Sequence, residues 1–186
     1  ARERYEHLQE LYLKQAILSR YARYMDRPEL SGYRELNLNI VKDIIRYFAN
    51  AKNMMYLYKV KLMKLLWYSD ALSFKRFGHS ITGLVYQALP MGAVPIGYDT
   101  IIEFSGVPYE EHEYDNGTAY EFLPTSNKEY TSLSTEDMDI LETIIACFGT
   151  SKKNDIVEAM HEEEAYKKTA PKDIILFQHA KNLSIT

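Results

Sequence analysis

The sequence has a single cysteine, Cys147, in 186 residues, so no internal disulfide can form and a reducing compartment is expected. It has no apolar run near the ~20 residues needed to span a bilayer, and no secretory signal opens it. No membrane association is expected, and the cysteine usage fits a cytoplasmic protein. The phosphate loop is also missing: "GHSITG" and "MGAVPIG" lack the Lys-Ser/Thr tail. "HEEEA", from His161 to Ala165, fails as a zinc helix because position 165 is Ala where a second His is needed. His79, His112 and His161 come from distant segments, and Cys147, flanked by Ala146 and Phe148, is expected to be a buried structural thiol. Nothing singles out a carboxylate raised by burial for acid–base work. The chain is therefore expected to be neither an enzyme nor a cofactor or metal protein. An overall pI near 5.8 also lacks the footprint of a nucleic-acid binder.

What is present is uneven charge. Residues 1–34 carry +2 and residues 35–96 carry +5, whereas residues 97–139 hold eleven acids against Lys128 alone. Such a face suits a basic partner, because complementary potential steers encounter. Sixteen tyrosines are more than a core needs, and tyrosine is enriched at protein interfaces. Within the acidic stretch, Glu110, Glu111, Glu113 and Tyr114 are the expected partner-binding residues.

Hydrophobic periodicity predicts a mostly helical α+β fold with a small antiparallel sheet set into it. Residues 1–25 read as a helix with Leu8, Leu11, Leu18, Ala22 and Met25 on one narrow stripe, suited either to a single neighbour or to a homodimer seam. Residues 1–34 are accordingly a connector or dimerisation segment, and 35–186 the main domain. A helix from about Leu38 buries Val41, Ile44, Ile45 and Phe48, capped by Asn37 or Asn39. The best helix runs from about Tyr58 to Arg76, with Lys59, Lys61, Lys64, Lys75 and Arg76 expected on its wet side and Gly78 ending it. A short strand follows at "LVYQALP", and Pro95 is expected to open the next helix. Asn116-Gly117 signals a hairpin turn. Ser134 with Asp137 forms a capping box for a helix to Phe148. Ser151 or Asn154 caps another to Met160, and a last helical piece follows Pro171.

The punctuated stretch "KVKLMKLLWYSDALSFKRFGHSITGLVYQALPMGAVPIGYDTI", residues 59–101, resembles the core signature of the Panacea domain, the SocA-like antitoxin domain. The matching positions are Lys61, Lys64, Leu65, Leu66, Trp67, Tyr68, Asp70, Gly78, Ile81, Thr82, Gly83, Tyr86, Ala88, Gly92, Val94 and Pro95. "MHEEEAYKKT" is similar to a second, shorter signature, through His161, Glu162, Tyr166 and Thr169. The resemblance covers roughly residues 38–183. Ala93 stands where the family usually has Pro, and Met160 where it has Ser. The resemblance implies that the signature residues are scaffold, Asp70 capping or pairing within the fold. It also implies that the protein neutralises a protein toxin by direct binding, with protease delivery as the variant seen in some members. DNA binding would come only through an upstream helix-turn-helix or zinc-ribbon module, which is not visible in this sequence. The toxin is expected to be basic.

Overall fold

A computed structural model describes residues 1–186. The helices are α1 (Arg2–Tyr21), α2 (Leu38–Asn50), α3 (Lys59–Phe77), α4 (Tyr98–Ser105), α5 (Thr135–Phe148), α6 (Lys153–Glu162) and α7 (Glu164–Lys167). Two separate antiparallel pairs, β1 (Tyr86–Leu89) with β2 (Gly92–Pro95) and β3 (Tyr109–Tyr114) with β4 (Gly117–Phe122), interrupt them. The fold is mostly helical α+β. No helix is long and apolar enough to cross a membrane.

α3 is the hub. It packs against α2, α5, α6, β2, β4 and the tight helical turn Phe177–Asn182, and its residues from Lys61 to Phe74 are all buried. A helix enclosed on every side needs apolar residues all round. Leu62, Leu65, Leu66, Trp67, Ala71 and Leu72 supply most of them. Lys61 and Lys64, expected to be wet, are 0% and 1% exposed, which corrects the solvated-lysine reading. The hydropathy pattern misled because α3 has no wet side between those residues. Gly78 ends the helix in the left-handed conformation (φ 81°), donating its N–H to the carbonyl of Phe74.

α2 buries Val41, Ile44, Ile45 and Phe48, and Asn37 caps it by accepting from the N–H of Ile40 at 3.1 Å. The capping box at Ser134 and Asp137 is formed on α5. Other expectations are corrected. Pro95 does not open a helix: it ends β2 opposite Tyr86, and α4 starts at Tyr98 after Gly97 takes φ 76°. The residue before α6 is Lys152, not Ser151 or Asn154, with Asp155 closing back on the Lys152 N–H. The hairpin loop is Asp115–Asn116, since Tyr114 lies opposite Gly117, and only Gly117 carries the positive φ. Cys147 is exposed, because the last turn of α5 faces Ile144 and Ile145 inward and turns Ala146 and Cys147 out.

On α1 the buried residues are Leu13, Ile17 and Tyr21, packed toward α4, and they belong to the same core as the rest of the chain. Leu8, Leu11, Leu18 and Met25 are exposed. At about 100° per residue Leu8 lies opposite Ile17, Leu11 and Leu18 lie on a flank, and Met25 falls beyond the end of α1 at Tyr21. α1 carries apolar residues on more than one side, and the core uses the short stripe Leu13, Ile17 and Tyr21. The Tyr21 hydroxyl fixes it by donating to the carbonyl of Ile96 at 2.8 Å.

Candidate functional site

The chain's distinctive charged residues fall into two settings. The first surrounds α3. The Lys61 ammonium reaches three backbone carbonyls, Met55 at 2.8 Å, Gly149 at 2.9 Å and Ser151 at 2.7 Å. An ammonium has three N–H donors, so each is used. Lys61 thereby ties the segment before α3 to the end of α5. Lys64 donates to one carbonyl, Ala93 on β2, at 2.8 Å. Burial lowers both ammonium groups, Lys61 to about 8 and Lys64 to about 7, since a low-dielectric surround disfavours the charged form. Gly92 makes room for this arrangement: a Cβ there would lie 2.7 Å from Cε of Lys64 and 2.6 Å from Cγ of Met160.

Asp70, two turns further along α3, gathers the stretch after Gly78. Its carboxylate accepts from the N–H of Ile81 (2.8 Å), the N–H of Thr82 (2.9 Å), the Thr82 hydroxyl (2.5 Å) and the Tyr86 hydroxyl (2.7 Å). Burial pushes this carboxyl up, and the four donors pull against that. Thr82 in turn accepts from the N–H of Leu84. Gly83, between them, has φ 79°, and a Cβ on it would meet the backbone nitrogen of Leu36 at 2.5 Å. Trp67 packs edge-on to Tyr68, whose ring lies 4.6 Å from that of Phe148.

The second signature closes on the first. His161 stacks on Tyr166, ring centres 4.9 Å apart, and its Nε2 lies 2.9 Å from the carbonyl of Pro90. The Tyr166 hydroxyl donates to Leu89 at 2.7 Å. Both therefore clasp the β1–β2 turn. Thr169 returns its hydroxyl to Ala165. The polar groups of this region are directed at the protein's own backbone, and no three His, Cys, Asp or Glu side chains gather as a metal site anywhere in the chain.

The second setting is the β3–β4 hairpin, which the structure leaves exposed. Strand alternation splits the four expected partner-binding residues over two faces: Glu110 and Tyr114 on one, Glu111 and Glu113 on the other. On the first face, Tyr58 meets His112 edge-on and its hydroxyl is 3.5 Å from that of Tyr114. On the second face, Tyr109, Glu111, Tyr120 and Phe122 form a cleft of about 320 Å³ with Lys59, Asp99, Ile102 and Glu103. Lys59 pairs with Asp99 at 2.5 Å. Asp99, Glu103, Tyr109 and Tyr120 are the residues that sequence reading left unnamed here. The acidity of residues 97–139 was their signal, but only the fold brings α4 under the hairpin.

Together these settings define a helical domain whose distinctive polar residues build a scaffold and whose β3–β4 hairpin presents exposed acidic side chains. The chain belongs to the antitoxin SocA-like, Panacea domain family, whose family model matches residues 62–167, more than half of its length. No curated protein and no solved structure matches it.

Proposed function

We propose that this chain is a cytoplasmic, non-enzymatic antitoxin that neutralises a basic protein toxin by binding it directly, with the acidic hairpin and the cleft beneath it as the toxin-facing surface. Membership of an antitoxin-like family supports the class. The observation that carries the surface is the state of its charges. Glu111 and Glu113 have no cation partner within the chain, and Glu110 has only His112 at 3.9 Å. Tyr109 and Tyr114 are 50% and 55% exposed beside them, giving contact area at small entropic cost.

The test is co-expression with the product of the adjacent reading frame, one partner tagged, while growth is scored. Co-purification with rescued growth is the expected result. Charge reversal at Glu110 and Glu111 should then weaken the complex at low salt; an unchanged complex would remove the hairpin from the interface. Rescue without a complex would point to protease delivery or repression.

The outer stripe of α1 fits a second copy of this chain under the same reading. Its exposed Leu8, Leu11 and Leu18 are spaced by three and seven residues, as along one side of a two-helix seam. Sedimentation at micromolar concentration should show a dimer, and a monomer would exclude the seam.

A further inference from the structure

β3 has a strand neighbour on one side only. The sheet contains two strands, and β4 is tied on its far side to the segment before α3. There, the N–H of Phe122 donates to Leu57 at 2.9 Å, and Glu121 bridges to Tyr58. In an antiparallel pair, opposed residues alternate between exchanging both backbone hydrogen bonds and exchanging neither. Phe122 turns its N–H away from β3, so Tyr109 and Phe122 are a pair of the second kind. The N–H of Leu123 bonds Pro108 at 2.9 Å, as the alternation requires of the next pair. By the same alternation Glu111 opposite Tyr120 and Glu113 opposite Thr118 are unbonded pairs. The N–H and C=O groups of Tyr109, Glu111 and Glu113 therefore point outward, along an edge where no other segment of the chain pairs with them.

We propose that β3 is a docking edge, to which a basic, extended segment of a partner protein adds as a third strand. This rests on the reading of the hairpin as the partner-facing surface and supplies its mode. Backbone groups at Tyr109, Glu111 and Glu113 give the hydrogen bonds, as in other strand additions to an open edge. Charge selects the occupant. Glu110 lies on one face of the edge and Glu111 and Glu113 on the other, so an added strand with Lys or Arg on both faces meets an opposite charge at each. A second copy of β3 would place glutamates against glutamates. The same charges thus protect the edge from self-pairing while admitting a basic strand.

The probe is an end-blocked peptide repeating Lys-Lys-Thr-Thr, which presents lysine on both faces of a strand, titrated into the full chain, against the same peptide N-methylated at alternate residues along each edge. Both carry equal charge, but only the first can pair. The expected result is slowed amide exchange at Glu111 and Glu113 with the first peptide, and at least about tenfold weaker binding of the second. Glu111→Pro removes one outward N–H without taking a β3–β4 bond, and Glu111→Gln removes the same charge alone. The proline variant should bind the first peptide about tenfold more weakly than the glutamine variant. Equal binding of both peptides, or no binding of the first, overturns the proposal; the peptide comparison holds even where Glu111→Pro loosens the hairpin. If charge reversal abolishes toxin binding while the two peptides bind alike, strand addition alone fails. If the first peptide pairs but the chain neither binds nor rescues growth against the adjacent gene product, the toxin reading alone fails.

Discussion

Around α3, Lys61, Lys64 and Asp70 are enclosed by the fold, whereas on the hairpin Glu110, Glu111 and Glu113 stand in solvent with one long contact to His112 among them. The two regions use charge in opposite ways. An enclosed charge is tolerable only where fixed partners surround it, so each such residue specifies the position of particular backbone atoms. Lys61 fixes the ends of two segments, and Asp70 fixes the turn from α3 into β1. An exposed charge with no partner inside the chain constrains the fold little and remains available to another molecule. The lesson for this family member is that its most recognisable residues mark how the domain is built. Its partner surface is to be sought where the polar groups have no internal use.

Removing the centre of the enclosed network tests that division most severely. Asp70→Ala leaves two backbone N–H groups and two hydroxyls buried without an acceptor, at about 1–3 kcal/mol for each group that water cannot reach. A total loss of about 4 kcal/mol is expected in urea unfolding, with Asp70→Asn costing less. A loss under about 1 kcal/mol would mean the network is not structural. Gly83→Ala comes next, at about 2–3 kcal/mol. The left-handed backbone and the contact with the backbone of Leu36 both oppose a Cβ, and a backbone atom cannot swing aside as a side chain can.

The two buried lysines sharpen the comparison from within the core. Lys61→Met should lose about 2–4 kcal/mol because three carbonyls lose their donor, whereas Lys64→Met, which strands one, should stay within about 1 kcal/mol at pH 7. Their titration differs in a checkable way. Both folded values, about 7 and about 8, lie below the ordinary 10.5. Between those values and 10.5 the unfolded chain holds protons that the folded chain has released, so stability rises with pH through that window. Below pH 7 the burial cost is present in full. Lys64→Met should remove the part of the rise that begins near pH 7, up to about 1.4 kcal/mol per pH unit, in unfolding midpoints measured from pH 7 to 9. An unchanged slope would show that Lys64 keeps its proton in the fold.

Much of the scaffold was legible before the structure. The face of α2, its Asn37 cap, the Gly78 stop and the Ser134 box are local, set by neighbours within one helical turn. The signature residues were recognisable as a pattern, but their placement was not. Hydropathy puts Lys61 and Lys64 in water, and only the enclosure of α3 by α5, α6 and β2 reverses that. α1 misled for a related reason: both of its sides carry apolar residues, and sequence spacing favours the regular stripe over the one that meets α4. Pro95 fits a strand end as well as a first helical turn, and the left-handed Gly97 decides. Alternation in β3 already implied two faces for Glu110 and Glu111, yet the cleft with Asp99 and Glu103 depends on α4, which no local pattern places.

The smallest expected effect is the one that would break the comparison from the other side. Glu113→Gln removes a charge whose cross-strand partner is Thr118 and whose same-face neighbour is Glu111. If these carboxylates have no structural use, the substitution relieves repulsion and stabilises the domain by up to about 0.5 kcal/mol. The gain should shrink in about 1 M salt, where charges more than ~3 Å apart are screened. Urea unfolding at low and high salt measures both. A destabilisation above about 1 kcal/mol, insensitive to salt, would instead make Glu113 part of the scaffold. The hairpin would then be held by its charges in the same sense as the α3 core, and the acidity of residues 97–139 would no longer argue for a basic partner.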